Sequence, residues 1–264
     1  MAEPKAAMDI NIPNAARVYD YSLGGSHNFE ADRQAAEYMF TLVPSTRKWV
    51  RLLRMFLHDA AQELSDQGFD MFLDLASGLP TVEHIHSTVP NAKVIYVDND
   101  PVVVNYGKEI LGDNPHVRFL EEDIRNIDAV LSSPVIQEVF GNHRRVAIGL
   151  NGVTVFLSDE EIQRIMRATY DWAASGSKMF VTWETQAEGA MTPQWGQFLG
   201  MFDQMGSPMH LIPEAKAREL VKPWHVDERD FRPITEWLGL KDYITEQDRE
   251  GVGLEFYGVY LTKP

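Results

Sequence analysis

The sequence predicts an α/β fold built on a mostly parallel sheet of seven strands, and two observations lead to this prediction. In the middle of the chain, short apolar runs alternate with helix-like stretches, a pattern typical of parallel strands with helices on both faces. Near the end, the runs 241–245 and 255–262 lie too close together for a helix between them. The last strand is therefore predicted to be antiparallel. With 264 residues, 44% of them hydrophobic, the chain suffices for one domain with a large core.

The first clear element is a helix over residues 45–68, where apolar residues recur three and four positions apart. Ser45 is placed to cap this helix and Gly68 to end it. Five strands are predicted after it, at 71–75, 94–97, 117–120, 146–150 and 179–182. Helices are predicted between and after these strands, at 81–88, 100–111, 124–139 and 158–173.

Two segments, 14–43 and 186–238, lie outside this alternation. The second is rich in methionine and aromatic residues and precedes the final strands. From there it can fold over the carboxyl ends of the strands, where ligands bind in open α/β sheets. Both segments are interpreted as parts of a helical lid. The alternative for 186–238 is an ordinary satellite core beneath the insertion.

Composition excludes several classes of function. Lys and Arg number 24 against 39 Asp and Glu, a net charge of −15 that repels polyanions, so neither nucleic acid nor an anionic membrane is expected as a partner. The absence of cysteine excludes disulfides, thiolate metal sites and a cysteine nucleophile. His84 and His86 would face different directions on a helix, so no metal is expected. The sequence shows neither a signal-peptide pattern nor an apolar run of about 18 residues, which predicts a cytoplasmic protein.

The loop after the first strand has the most chemical content. Residues 72–80 read as a strand, a turn of small residues and the approach to a helix near Thr81, an arrangement that binds nucleosides. A nicotinamide or flavin site would need three glycines, whereas only Gly78 is present and Pro80 removes a backbone N–H. The Asp74 carboxylate would repel a pyrophosphate and suits the ammonium group of a cofactor that carries an amino acid.

The next two strands also end in acidic residues. Asp98 lies 20 residues after Gly78, the offset of a carboxylate that accepts both ribose hydroxyls. Asp123 follows the third strand, where it could accept from the amino group of adenine while Ile124 flanks the ring. The alternatives are a solvated strand end for each carboxylate and, for Asp123, the N-cap of the following helix.

These residues resemble the S-adenosylmethionine-dependent methyltransferases of the Rossmann-like class I. Their first motif, acidic-x-Gly-x-Gly-x-Gly, is matched by Asp74, Ala76, Gly78 and Pro80, with departures at Ala76 and Pro80. Three motifs in order, at 14–29, 73–81 and 95–101, are similar to a narrower bacterial family that is abundant in actinomycetes. Its members are S-adenosyl methyltransferases of unassigned substrate.

The resemblance implies S-adenosyl-L-methionine as the cofactor and assigns residues to it. Asp74 and Gly78 would hold the methionine part, Asp98 the ribose, and Asp123 with Ile124 the adenine. Asn151 would line the methyl-donor pocket, and Ala76 and Asn99 are also counted among the cofactor-binding residues. The resemblance covers about residues 14–182, and the insertion matches it poorly. From the organisation of the chain, a single methyltransferase domain is predicted, with an N-terminal helical lid at 14–68, a cofactor-binding core at 69–185, a substrate cap at 186–238 and final strands at 239–264.

The N-terminal segment supplies further candidates. Gly24 permits a backbone turn that other residues disfavour, and Arg17 and Tyr21 could point into the cleft, with Arg17 supplying a positive charge for the cofactor carboxylate. The alternative is a helix docked on the sheet, with Arg17 paired to Asp20. A base for the reaction is sought among His27, Tyr21, Glu184, His210 and His225. Arg47, Arg51 and Arg54 are interpreted as a solvated helix face.

The predicted reaction moves a methyl group from S-adenosylmethionine to an oxygen or nitrogen of a small, aromatic or apolar metabolite. In-line transfer from a sulfonium needs mainly alignment of donor and acceptor, which explains why no catalytic constellation stands out. One alternative is a protein that binds the cofactor without methyl transfer, as a regulator or partner subunit. A nicotinamide-dependent oxidoreductase is the other. The sequence is compatible with a homodimer and does not determine the oligomeric state.

Overall fold

The structure, a computed structural model, describes residues 10–81, 83–186, 192–250, 252 and 254–264. Its strands form one mixed sheet in the order β3-β2-β1-β4-β5-β8-β6, and β7 pairs with β8 beside this path. In chain order the strands are β1 (Met71–Leu75), β2 (Lys93–Asp98), β3 (Val117–Glu121), β4 (Ala147–Leu150), β5 (Lys178–Gln186), β6 (His225–Val226), β7 (Arg232–Pro233) and β8 (Leu254–Thr262).

The first five strands are parallel, as predicted. Leu73 of β1 lies opposite Ile95 of β2 and Ile148 of β4, and every residue of β1 is buried. Burial on both faces explains why these strands read as continuous apolar runs. Strand β8 runs antiparallel to β5 over its whole length, which confirms the predicted antiparallel end of the sheet.

The partner predicted for that last strand is wrong. Residues 241–245 form turns, and Thr245 accepts a hydrogen bond from the backbone N–H of Asp248 as the cap of a short helix. The antiparallel edge is instead completed by β6 and β7, of two residues each, which pair with β8. Both lie inside the segment 186–238, so that insertion is not purely helical.

Twelve α-helices lie within the described residues. They are α1 (Ala15–Ser22), α2 (Glu30–Leu42), α3 (Thr46–Asp66), α4 (Ile85–Thr88), α5 (Pro101–Leu111), α6 (Ile127–Leu131), α7 (Pro134–Phe140), α8 (Asp159–Trp172), α9 (Pro193–Gln204), α10 (Glu214–Leu220), α11 (Ile234–Trp237) and α12 (Glu246–Arg249). Helices α3, α5 and α8 match the prediction closely.

Two helix predictions fail in extent. The helix predicted at 81–88 is reduced to α4, because His84 caps it by accepting from the backbone N–H of Ile85. The helix predicted at 124–139 is divided into a 3-10 turn, α6 and α7. Ser133 and Pro134 make this break, since Ser133 accepts from Val135 N and Pro134 occupies the first helical position.

The core has an apolar layer on each side of the sheet. On one side, α3 packs its buried stripe against Phe72, Phe180 and Phe256; on the other, α6, α7, α8 and α10 cover the strands. No helix in the described part of the chain is long and apolar enough to cross a bilayer. Helices α1, α3 and α9 cover the carboxyl ends of the parallel strands, and their side chains line a cavity there.

Candidate active site

A cavity of about 440 Å³ lies at the carboxyl ends of the parallel strands. Asp74 and Ala76 reach it from the end of β1, Asp98 and Asn99 from β2, Asn151 from β4 and Glu184 from β5. This is where an open α/β sheet binds its ligand, and the volume is typical of a small-molecule site. The structure therefore brings together the residues predicted at four strand ends.

The loop after β1 turns tightly and is fixed to β2. Ala76 and Gly78 both have positive φ, +53° and +63°. Ser77 N donates to Val97 O at 2.9 Å, and Gly78 N donates to the Asp98 carboxylate at 3.0 Å. The helix predicted to start near Thr81 begins only at Ile85. At this point the cavity is therefore bordered by the loop residues 76–78 and by the Asp98 side chain of β2.

Asp98 is held in one orientation. Its two carboxylate oxygens accept from Gly78 N and from Asp100 N, each at 3.0 Å. Burial raises its pKa to about 6, although these two hydrogen bonds act in the opposite direction. Each oxygen keeps a further lone pair, so the carboxylate can accept from two ligand hydroxyls without moving.

Asp123 both caps a turn and lines the cavity. It caps the 3-10 turn Ile124–Asn126 by accepting from Arg125 N, and it forms an ion pair with the Arg125 side chain at 2.6 Å. Together with Asn99 and Ile124 it also lines the cavity. The capping alternative and the cavity-facing position are therefore compatible.

Asp74 is almost completely buried at the base of the cavity, with 2% exposure. Burial raises its pKa to about 7, the charge of Arg54 opposes that shift, and Asp98 adds to it. A Cβ at Gly149 would lie 2.6 Å from the Asp74 carboxylate. The absence of a side chain at that position makes room for this carboxyl group.

Arg54 is the functional candidate that the sequence analysis missed. It lies on α3, is 4% exposed and lines the cavity. Its Nε and Nη1 atoms have no hydrogen-bond partner within the described residues, and its guanidinium carbon lies 5.6 Å from the centre of the Tyr19 ring. The interpretation of Arg54 as part of a solvated face is wrong, whereas Arg47 and Arg51 are exposed.

Two of the candidate bases, Glu184 and His210, line the cavity, and Glu184 is the more deeply buried of them. It is 3% exposed, and its Oε2 accepts from the Thr154 hydroxyl at 3.1 Å. Its Oε1 is buried and finds no partner among the residues that the structure describes. Burial raises the Glu184 pKa to about 7, against opposing hydrogen-bond contributions from the Thr154 and Thr182 side chains and from the backbone at Glu184 and Val155. His210 also lines the cavity, with its backbone N–H bonded to Val155 O.

The other candidates from the N-terminal segment and the insertion lie elsewhere. The Tyr21 hydroxyl donates to Glu37 at 2.7 Å on the surface, and Gly24 forms an exposed turn with φ of +87°. The His27 ring packs on Tyr106 at 5.3 Å, and His225 is exposed on β6. None of these four is among the described lining residues, so the structure does not bring them to the cavity with the other candidates.

Arg17 is also outside the described cavity lining. It is 1% exposed, and its guanidinium donates to Asp32 at 2.8 Å and to Asp100 at 3.2 Å. Asp32 is the N-terminal anchor of α2, and Asp100 caps α5. Arg17 thus joins α1 to two neighbouring helices, and in this position its guanidinium is paired with carboxylates rather than turned to the cavity; its role toward the cofactor carboxylate stays a prediction. Helix α1 reaches the cavity through Ala16 and Tyr19 instead.

Aromatic side chains form the remaining wall. Trp195 and Phe198 of α9 stack at 5.1 Å, and Phe198 contacts Phe202 at 5.4 Å. Opposite them, Trp49 of α3 contacts Phe256 of β8 at 5.0 Å. The insertion therefore does extend over the strand ends. Its later aromatic residues build core instead: Trp224 Nε1 donates to Met166 O at 3.0 Å in the other apolar layer.

The strand order, the antiparallel β8 and the acidic ends of β1 and β2 define the class of protein: a Rossmann-like class I methyltransferase. The family described as S-adenosyl methyltransferase matches residues 1–259, and the chain belongs to that family. Its cofactor is S-adenosylmethionine. This confirms the predicted family, enzyme class and cofactor over the nicotinamide alternative.

Solved structures agree with this assignment. A DUF574 family protein from Streptomyces avermitilis is 26% identical, with a TM-score of 0.82 over 97% of this chain and 100% of its own. A protein from Thermobifida fusca assigned as a methyltransferase is 27% identical, with a TM-score of 0.83 over 100% of this chain and 99% of its own. Geranyl diphosphate methyltransferase, at 11% identity and a TM-score of 0.53 over 86% of this chain and 82% of its own, shares the fold. A search of curated proteins found no match.

Proposed function

We propose that this enzyme methylates an oxygen or nitrogen atom of a small, aromatic or apolar acceptor, with Glu184 taking up the acceptor's proton. One observation carries the proposal: a buried carboxyl group with an unpartnered oxygen lies in the same cavity as the Asp74 loop and an aromatic wall. The test is a screen of purified protein for S-adenosylhomocysteine release with phenols, alcohols and amines. Release that requires an acceptor supports the proposal, and none with any acceptor class contradicts it.

The lining residues fit the cofactor. The unpartnered N–H groups of Arg54 lie in the same cavity as the Asp74 carboxyl group. Arg54 would bind the carboxylate of the cofactor's amino acid, and Asp74 would bind its ammonium group. Asp98 would accept from the ribose hydroxyls, and Asp123 with Ile124 would border the adenine. When bound, the cofactor supplies a methyl group that its sulfonium charge has already activated. The protein's own tasks are to align the acceptor, exclude water and move a proton.

Glu184 is equipped to take up that proton. A general base works best when its pKa lies near the working pH, and burial raises the Glu184 pKa to about 7. Thr154 fixes Oε2, which leaves Oε1 for the acceptor. The rings of Trp49, Trp195 and Phe198 enclose the space in front of the strand ends and exclude water from it.

Asp98→Asn is expected to weaken binding of S-adenosylmethionine and S-adenosylhomocysteine about 10- to 100-fold, the value of a hydrogen bond to a charged group. In the wild type, each carboxylate oxygen of Asp98 accepts a hydrogen bond from a backbone N–H. The substitution replaces one of these oxygens with an NH₂ group, which cannot accept. Calorimetric titration measures the effect. Asp128→Asn, at an exposed position on α6, is the matched control. Equal affinities in the two variants would remove Asp98 from the site.

Arg54→Met is expected to weaken S-adenosylhomocysteine binding about 10- to 100-fold, because the ligand carboxylate loses its charged donor. Binding of 5′-methylthioadenosine, which lacks the amino acid, should stay within about twofold, since the hydrogen bonds at stake are absent from it. Arg51→Met, on the exposed face of the same helix, controls for the loss of charge. Equal losses for both ligands would mean that Arg54 supports the cavity structurally.

A further inference from the structure

We infer that the acceptor is an arylalkyl amine, whose ammonium group Glu184 holds and then deprotonates before the nitrogen is methylated. This inference rests on the proposed function and narrows its acceptor from oxygen or nitrogen compounds to one chemical class. Three features of the cavity lead to it: the position of Glu184, the rings around that position and the balance of charges in the lining.

Glu184 lies at the boundary between the strand ends and the aromatic wall. In the β5–β8 pair it stands directly opposite Phe256, and the Phe256 ring contacts Trp49 at 5.0 Å. All three side chains line the cavity. A ligand group that reaches the unpartnered Oε1 of Glu184 is therefore flanked by aromatic rings.

A carboxylate flanked by aromatic rings is suited to a cation. Ring faces attract ammonium groups, and the attraction grows where water is excluded. Trp49 and Trp195 are both nearly inaccessible to solvent, at 2% and 0% exposure. A neutral acceptor would leave an ionised Glu184 buried without a counter-charge, which is costly. An ammonium group removes that cost.

The lining charges favour a cationic acceptor over an anionic one. Among the described lining residues, six carboxyl groups stand against two guanidinium groups. Arg125 is held by Asp123 at 2.6 Å, and Arg54 lies at the end of the cavity near Asp74, where the amino acid of the cofactor is proposed to bind. No lysine lines the described part of the cavity. An acceptor carboxylate would therefore have to compete with the cofactor for Arg54.

The reaction balances with the residues at hand. The ammonium group transfers one proton to the Glu184 carboxylate, which becomes a neutral carboxyl and leaves a free amine. The nitrogen lone pair then forms the N–C bond while the S–C bond breaks, and its electron pair stays on sulfur. The products are a methylammonium ion and a neutral thioether, so the positive charge moves from sulfur to nitrogen. A pKa of about 7 for Glu184 allows this proton to be taken up and released near neutrality.

The test uses two matched sets of probes: 2-phenylethylamine, 2-phenylethanol and 3-phenylpropionate, and the corresponding indole compounds. Each is titrated calorimetrically at pH 8 into the protein saturated with S-adenosylhomocysteine. The amine of each set should bind at least about 10-fold more tightly than its alcohol, the value of one charged hydrogen bond. Glu184→Gln should abolish this preference. Glu122→Gln, a carboxyl group that lines the cavity next to Asp123, should retain it.

The inference is overturned if an alcohol or carboxylate binds as tightly as its amine, if no amine binds, or if Glu184→Gln keeps the preference. Unchanged S-adenosylhomocysteine affinity in Glu184→Gln shows that the variant is folded. The same probes and a phenol set are then assayed for methyl transfer. Methylation of phenols or alcohols but not amines would refute the inference that the acceptor is an amine and would leave the proposed function intact. Absence of transfer to any set would refute the proposed function itself.

Discussion

Glu184→Gln is expected to lower turnover about 10²- to 10⁴-fold, the contribution of a positioned general base. The amide keeps the size of the side chain and can still accept from the Thr154 hydroxyl, but it cannot take up a proton. Cofactor affinity should change less than about twofold, because the lost step is proton uptake rather than ligand binding. The measurement is the rate of S-adenosylhomocysteine formation at saturating cofactor with any acceptor that the screen identifies.

The pH dependence gives this prediction a second readout. The carboxylate is the active form, so the wild-type rate should rise with pH through about 7, the pKa to which burial raises Glu184. Tyr19, whose ring interacts electrostatically with Glu184, has a pKa raised above 10 and does not titrate in this range. Burial raises the pKa of Asp74 to about 7 as well. The rate is therefore measured at saturating cofactor, whose ammonium group keeps Asp74 ionised over this pH range. A rising limb that survives in Glu184→Gln would assign the base elsewhere.

Arg17→Met is expected to destabilise the protein by about 3–5 kcal/mol, the cost of breaking a buried ion pair from one side. Two carboxylates, Asp32 and Asp100, would lose their cation in a region where both are nearly inaccessible to solvent. The free energy of unfolding from a denaturant titration measures this loss. Cofactor affinity, measured under conditions where the variant remains folded, should stay within about threefold, because Arg17 is not among the described lining residues.

Arg47→Met is the matched control for Arg17. Its pair with Glu37 spans 3.1 Å, but the two side chains are 52% and 55% exposed. An exposed pair contributes little, so the change in unfolding free energy should be below about 1 kcal/mol. A similar small effect for Arg17→Met would show that the buried carboxylates are neutralised or solvated in another way. Loss of cofactor binding in a stable Arg17 variant would support its predicted role at the site.

The sequence was sufficient to predict the five parallel strands and the antiparallel β8, because parallel strands buried on both faces leave a simple apolar signal. It was less informative where capping decides the outcome. A helix is predicted at 81–88, yet His84 caps a helix that begins only at Ile85, and Pro134 divides a second predicted helix. Residues 241–245 have strand propensity, but Thr245 caps α12. In each case one capping hydrogen bond or one proline ring determines where the element begins, although the pattern averaged over several residues predicts otherwise.

For the site, position after a strand was a reliable guide. Four site residues lie in or directly after the last residues of parallel strands, whose carboxyl ends necessarily meet at one edge: Asp74, Asp98, Asn151 and Glu184. The N-terminal segment had no such constraint. Which face of α1 turns to the cavity depends on how it packs, and Tyr19 faces it while Arg17 and Tyr21 do not. Arg54 was missed for the same reason, because periodicity alone placed it with two exposed arginines.

Two of the buried carboxyl groups of the cavity, Asp74 and Glu184, favour activity at the expense of stability. Burial raises the pKa of Asp74 and of Glu184 from ordinary values near 4 to about 7. A carboxyl group with a raised folded-state pKa contributes stability that is present below its unfolded pKa and lost as pH rises through the folded value. Near pH 8 both groups are ionised in the ligand-free protein, which therefore bears the cost of keeping these anions buried in addition to Asp98. A laboratory evolution experiment that selects only for heat resistance at that pH should favour neutral residues at 74 and 184, and the survivors should be robust proteins that no longer turn over substrate.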